Sequence, residues 1–257
     1  VRFTLLIVAP VLGLSAACSR APVPPSAPPL VAFDAPDARC QARGGGSGVD
    51  LGGTCLPIVM RAGGSDHDAP APAPAADPRI AAAAARLSAG DDCTPSPGAV
   101  TGDDAVFMHV VCTDVNRERV GYVVRVDSAG NVLSVAVPKA AAGRVTFVPG
   151  ARPLIAAVLC NVGTMVFDAR TLAGRAGWAR MGGWANAASD GAAASPDGAW
   201  LAVPDPYGER IDLVRTADLT VVASPRVRDL AARDEGPGRI AWSGAALEIT
   251  TFRLPYE

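Results

Sequence analysis

The chain has 257 residues, 49% of them apolar, and a formal charge of -2 from 23 basic and 25 acidic side chains. That length allows one domain of ordinary size with appendages, and the near-neutral balance offers no concentrated basic face, which excludes nucleic acid as the expected partner. Much of the apolar content is alanine, which contributes little buried area per residue.

Residues 1–17 carry Arg2, an apolar run over 3–14 and the small residues Ser15, Ala16 and Ala17, followed by Cys18. The run is shorter than the roughly 20 residues that span a bilayer and has the shape of a cleavable export signal. It resembles the signal and lipobox of bacterial lipoproteins, in which an aliphatic residue and two small residues precede the cysteine that receives a diacylglyceryl group. Here Leu14 stands one place early and Ser15 takes the aliphatic position. The resemblance implies lipidation of Cys18 and attachment to the membrane through that lipid. Ser15 and Ala17 also satisfy a small-x-small site, so cleavage after Ala17 to a soluble periplasmic protein is the alternative. Ser19 behind the cysteine implies, by analogy with enteric bacteria, an outer-membrane anchor with the protein facing the periplasm.

Residues 18–36 read as a Pro-rich tether, extended at about 3.1 Å per residue and so reaching roughly 50 Å. Residues 37–97 read as a Gly-, Pro- and Ala-rich linker. Within it Cys40 and Cys55 could close a disulfide loop worth about 3 kcal/mol in an oxidising envelope. Residues 56–60 suit a short strand, and Ala-rich 79–87 suit two turns of helix that are marginal unless packed. With Cys18 given to lipid, Cys93, Cys112 and Cys160 leave an odd thiol. Asp66, His67 and Asp68 are adjacent in a linker and cannot easily converge on one metal ion, so they read as a solvated loop.

The folded body is expected over 98–257. Short apolar runs at 106–112, 120–126, 132–137, 154–160, 164–167, 176–178, 200–203, 211–214, 221–222, 240–242 and 247–252 alternate with turn formers, and no helical period interrupts them. Turn marks at Thr101, Val148, Ser195 and Ser243 lie 47, 47 and 48 residues apart. The most complete unit, ASPDGAWLAVPDPYGERIDLVRTADLTVVAS over 194–224, resembles the WD-like and YVTN-type propeller repeats of bacterial envelope proteins. The resemblance implies an all-β, propeller-like array of about three and a half to four antiparallel blades, the last cut in half. Exposed edges of such an array invite pairing. Three completions are open: residues 30–33 and 56–60 add strands to the last blade, two copies associate, or a partner finishes the array.

Few residues suggest chemistry. His109, inside the apolar strand VFMHVVC, reads as a hydrogen-bonded core or face histidine. Asp127 and Asp168 end equivalent strands where the next repeat has Arg215, which points to turn capping and not to a shared ligand role. Trp200 and Trp242 read as packing between blades, while Trp178 and Trp184 lie in a Gly-rich run that is a candidate contact loop, with core packing the competing role. There is no G-x-S-x-G elbow and no dinucleotide fingerprint. No catalytic, cofactor-binding or metal residue is therefore assigned, and no cofactor is expected. The functional expectation is an exported lipoprotein with a non-enzymatic binding or scaffolding domain in the cell envelope, engaging a protein partner or itself. A degenerate lactonase-like or quinoprotein propeller enzyme, and a truncated propeller without activity, are the alternatives.

Overall fold

A computed structural model describes residues 26–29, 38–42, 45–62, 78–88, 93–96, 98–113, 118–140, 142–160, 162–178, 191–204, 210–227, 229 and 235–253. The signal, Cys18, the Asp66-His67-Asp68 cluster, residues 30–33 and Trp184 lie outside them. The described chain is all-β, with strands β1 (Arg39–Gln41), β2 (Ser47–Asp50) and β3 (Cys55–Ala62), helix α1 (Pro78–Ser88), and then fifteen further strands.

Those fifteen fall into consecutive groups. Sheet I contains β4 (Cys93–Pro95), β5 (Val100–Thr101), β6 (Ala105–Thr113), β7 (Arg119–Asp127) and β8 (Val132–Pro138). Sheet II runs β9 (Gly143–Val148), β10 (Leu154–Leu159), β11 (Gly163–Asp168) and β12 (Gly174–Trp178). Sheet III runs β13 (Ala193–Ala194), β14 (Trp200–Pro204), β15 (Ile211–Arg215) and β16 (Thr220–Ala223). In sheet IV, β17 (Glu235–Ser243) and β18 (Ala246–Arg253) are joined by β3, β2 and β1.

Period-two alternation explains how the sheets stack. In β6, Ala105 and Phe107 face sheet II while Val106, Met108 and Val110 face α1. In β10, every residue is buried because Ile155, Ala157 and Leu159 pack on sheet I and Leu154, Ala156 and Val158 on sheet III. Leu213 of β15 turns the other way, to join Leu247 and Ile249 of β18 and Leu56 and Ile58 of β3 in the core between sheets III and IV. Where only one face is covered, as in β8, buried Val135 and Val137 alternate with exposed Ser134 and Ala136. The helix packs Ala83 and Ile80 on the outer face of sheet I, which supplies the tertiary support that so short an Ala-rich helix needs.

Several expectations are corrected. Part of the expected linker folds, since residues 39–62 supply the outer half of sheet IV. The fourth repeat is thereby extended by strands from the N-terminal side, with β3 covering the expected 56–60, while 30–33 lie outside the described residues. The pairing of β3 with β18 is parallel, Leu247 opposite Ile58, so the array is not antiparallel throughout. A parallel neighbour needs a long crossover, which the sequence distance from β3 to β18 provides. Sheet I begins at Cys93, ahead of the expected boundary. Nor does the tether stand wholly apart from the body: Pro28 is buried, and Ala27 packs against the core between sheets I and II. Among the described residues the hydrophobic cores join sheet I to II, II to III and III to IV. The far side of sheet IV carries Val59, 40% exposed, and an Arg61–Glu248 ion pair.

Two disulfides fasten the ends of this stack. Cys40 and Cys55 are joined with their Cα atoms 5.9 Å apart, and the bridge lies over Gly48 of β2, where a Cβ would come within 2.6 Å of Cys55 Sγ. Cys93 and Cys112 face each other directly across β4 and β6 and are joined as well. Cys160, half-buried, is outside both bridges.

Candidate functional site

Successive strands of a meander reverse, so the β9–β10, β11–β12, β13–β14 and β15–β16 turns all emerge at one end of sheets II and III. Between them lies a cleft of about 770 Å³. Its sheet II wall includes Pro149, Arg152 and Arg175; its sheet III wall includes Asp197, Thr216 and Asp218. Two of the sequence's repeat marks, Val148 to Gly150 and Ser195 to Gly198, thus meet at its floor.

The two turns are locked together. Gly198 adopts φ +69°, and a Cβ there would lie 1.8 Å from the carbonyl oxygen of Pro149, so the close approach of the sheets requires glycine. Asp197 Oδ1 accepts from the Ser195 hydroxyl at 2.6 Å and from the Ala199 amide at 3.0 Å, while Ser195 Oγ accepts from the Trp200 amide at 2.9 Å. Those bonds, from Ser195 first and then Ala199, hold the Asp197 carboxyl below its usual range. Asp218 is gripped by Arg215, whose Nη2 donates at 2.7 Å and whose Nε donates at 3.1 Å, and this hydrogen bonding is the main reason its pKa falls to about 2. The Arg152 and Arg170 side chains on the sheet II turns and that of Arg175 at the start of β12 are exposed.

The strand-ending carboxylates cap their own turns. Asp127 accepts from the side chain of Asn131 at 2.9 Å and from its amide at 2.8 Å, and these bonds lower its pKa. At Asp168, burial alone would raise the pKa, but bonds from the amide and hydroxyl of Thr171 and the amide of Arg170, with the charge of Arg175, bring it below the usual value. Arg215 takes the equivalent place in sheet III and pairs with Asp218 instead.

His109 lies far from the cleft, in the core between sheets I and II. It is 1% exposed, and its Nδ1 is 2.8 Å from Ser96 Oγ. Gly121 and Gly143 leave room for the ring, since a Cβ on either would come 2.8 Å from Nε2 or 3.1 Å from Cγ. Burial pushes its pKa down to about 4, so the imidazole is neutral at pH 7, and Nε2 has no hydrogen-bond partner. Ser96 is half-buried and the imidazole fully buried, so the hydrogen bond serves to hold His109 in the core.

Of the tryptophans, Trp178 packs half-buried on the core between sheets II and III. Trp242 donates its Nε1–H to the carbonyl of Ala193 at 3.0 Å and so ties sheet IV to sheet III. Among the described residues no group of three or more His, Cys, Asp or Glu is placed to hold a metal ion. Sequence reasoning treated the SPDG segment as a turn alone and missed that it also walls a cleft; the 47-residue spacing was the signal that it would face its counterpart.

The chain matches no protein-family model and no curated protein.

Proposed function

We propose that this chain is an exported lipoprotein, anchored to the outer membrane through Cys18, whose four sheets form an incomplete, propeller-like binding module with no chemistry of its own. The observation that carries the reading is the cleft between sheets II and III. It is assembled from repeat turns, its volume of about 770 Å³ falls in the range of ligand clefts, and its carboxylates are committed to capping and to Arg215. The Cys40–Cys55 and Cys93–Cys112 bridges agree with an oxidising compartment. Adjacency of the inner strands β9, β13 and β17, together with the repeat spacing, supports the propeller comparison.

Three measurements test this. Cys18→Ala is expected to move the protein from the membrane to the soluble fraction, and persistence at the membrane would count against the anchor. Cross-linking and affinity capture from envelopes should return a partner whose recovery drops when Ala217, on the sheet III wall of the cleft, is changed to tryptophan. Metal- or quinone-dependent turnover of a lactone or sugar by the purified domain would overturn the non-enzymatic reading.

A further inference from the structure

Of the N-terminal tether, the described residues 26–29 meet the folded body. Pro28 is buried, and Gly174 at the start of β12 is the reason it fits: a Cβ there would lie 2.6 Å from the Pro28 nitrogen and 2.8 Å from the Ser26 carbonyl oxygen. Only residues 19–25 separate this dock from Cys18. Even fully extended, the eight Cα steps from Cys18 to Ser26 reach no more than roughly 29 Å, well short of the free tether the sequence suggested.

Beside the dock, the turns of sheet II carry Arg152 and Arg170 and the start of β12 carries Arg175, all exposed. The amide of Ala169 donates to the carbonyl of Pro153 at 3.0 Å, which holds the first two arginines on adjoining turns. Asp168, whose carboxyl also feels the charge of Arg175, accepts from the amides of Arg170 and Thr171 and from the Thr171 hydroxyl. Across the cleft, Asp218 is neutralised by Arg215, and Asp197 faces from the sheet III wall. The excess positive charge therefore sits on the sheet II side, next to the dock.

We infer that residues 26–29 are a strap that turns this end of sheet II toward the membrane, where Arg152, Arg170 and Arg175 meet the phosphates of anionic lipid headgroups. The inference rests on the proposed anchoring at Cys18. Attraction between exposed charges fades beyond a Debye length, about 8 Å at physiological salt, so the arginines act only if the strap holds them at the surface.

The test couples the purified chain beginning at Cys18, in a Cys160→Ala background, through the Cys18 thiol to a maleimide phospholipid in vesicles, and follows amide hydrogen exchange. On vesicles containing phosphatidylglycerol, amides in 149–153 and 168–175 should slow several-fold, with the β8–β9 connection at the opposite end of β9 unchanged. Phosphatidylcholine alone should give less slowing. Replacing all three arginines with glutamine should abolish the dependence on phosphatidylglycerol, and Pro28→Asp, which leaves the sheets intact, should abolish the slowing itself. Equal exchange at the two ends, or protection that survives Pro28→Asp, overturns the inference. Because the lipid is attached chemically, a failure of acylation in the cell, read by fractionation, is a separate result.

Discussion

His109 carries the pH dependence that belongs to a single residue. Its folded pKa of about 4 lies below the ordinary 6.5, because a charged imidazole loses hydration in the core between sheets I and II. The unfolded chain therefore binds the proton first as pH falls, so this residue's contribution is complete above pH 6.5 and is lost on going down toward pH 4. Between pH 7 and pH 4 the loss is on the order of 3 kcal/mol. Urea midpoints should fall between pH 6.5 and 4 in the native chain and change much less over that window in His109→Gln. Asp127, Asp168, Asp197 and Asp218, all with lowered values, add a second loss at still lower pH. At Gly198 the constraint is steric and not electrostatic: with φ at +69° and Pro149 oxygen 1.8 Å from any Cβ, Gly198→Ala should cost about 3 kcal/mol or more in a urea titration. The Pro-Asp-Gly turn was legible from the residues. That its glycine also sets the approach of two sheets was not, because Pro149 is remote in sequence.

Among the elements, the long apolar strands were plain in the chain. β10 and β14 are covered on both faces and read as continuous apolar runs, while β6 and β15 are buried likewise but carry His109 and Asp212 within theirs. β9 and β13 were harder to see, since both lie at the edges of their sheets with mixed, half-buried residues. β9 sits between sheets I and III; Thr146 donates to the carbonyl of Ala192 at 2.6 Å. The Cys93–Cys112 bridge closes a separation of 19 residues, so replacing both cysteines with alanine should lower stability by about 3 kcal/mol on the chain-entropy estimate. Calorimetry under oxidising and reducing conditions checks this. Deleting β1, β2 and β3 should have a larger effect, because Leu247 and Ile249 lose Leu56 and Ile58 from their core and β18 gains an open edge. A chain beginning after Ala62 is expected to aggregate or to unfold without cooperativity, and a sharp monomeric transition would show that sheet IV stands without its N-terminal half.

At the scale of the molecule, sheet IV is filled from within its own chain, which removes the need for a second copy to supply its strands. Light scattering on the soluble domain should therefore give the monomer mass; twice that mass would mean that the open face around Val59, or a sheet edge, pairs with another copy. Sequence by itself determined the all-β class, the position of most strands, the repeat spacing and the turn role of its acidic residues. Each of these follows from local rules: period-two burial, preset backbone angles at Pro and Gly, and hydrogen bonds from Asp to nearby amides. Tertiary structure decided what depends on contacts between distant segments. It set β3 beside β18, placed Pro28 against Gly174, and brought the turns at Pro149 and Gly198 together into a cleft. No local pattern encodes these pairings, because parallel strand addition and sheet stacking are selected by the summed burial of residues up to some two hundred positions apart.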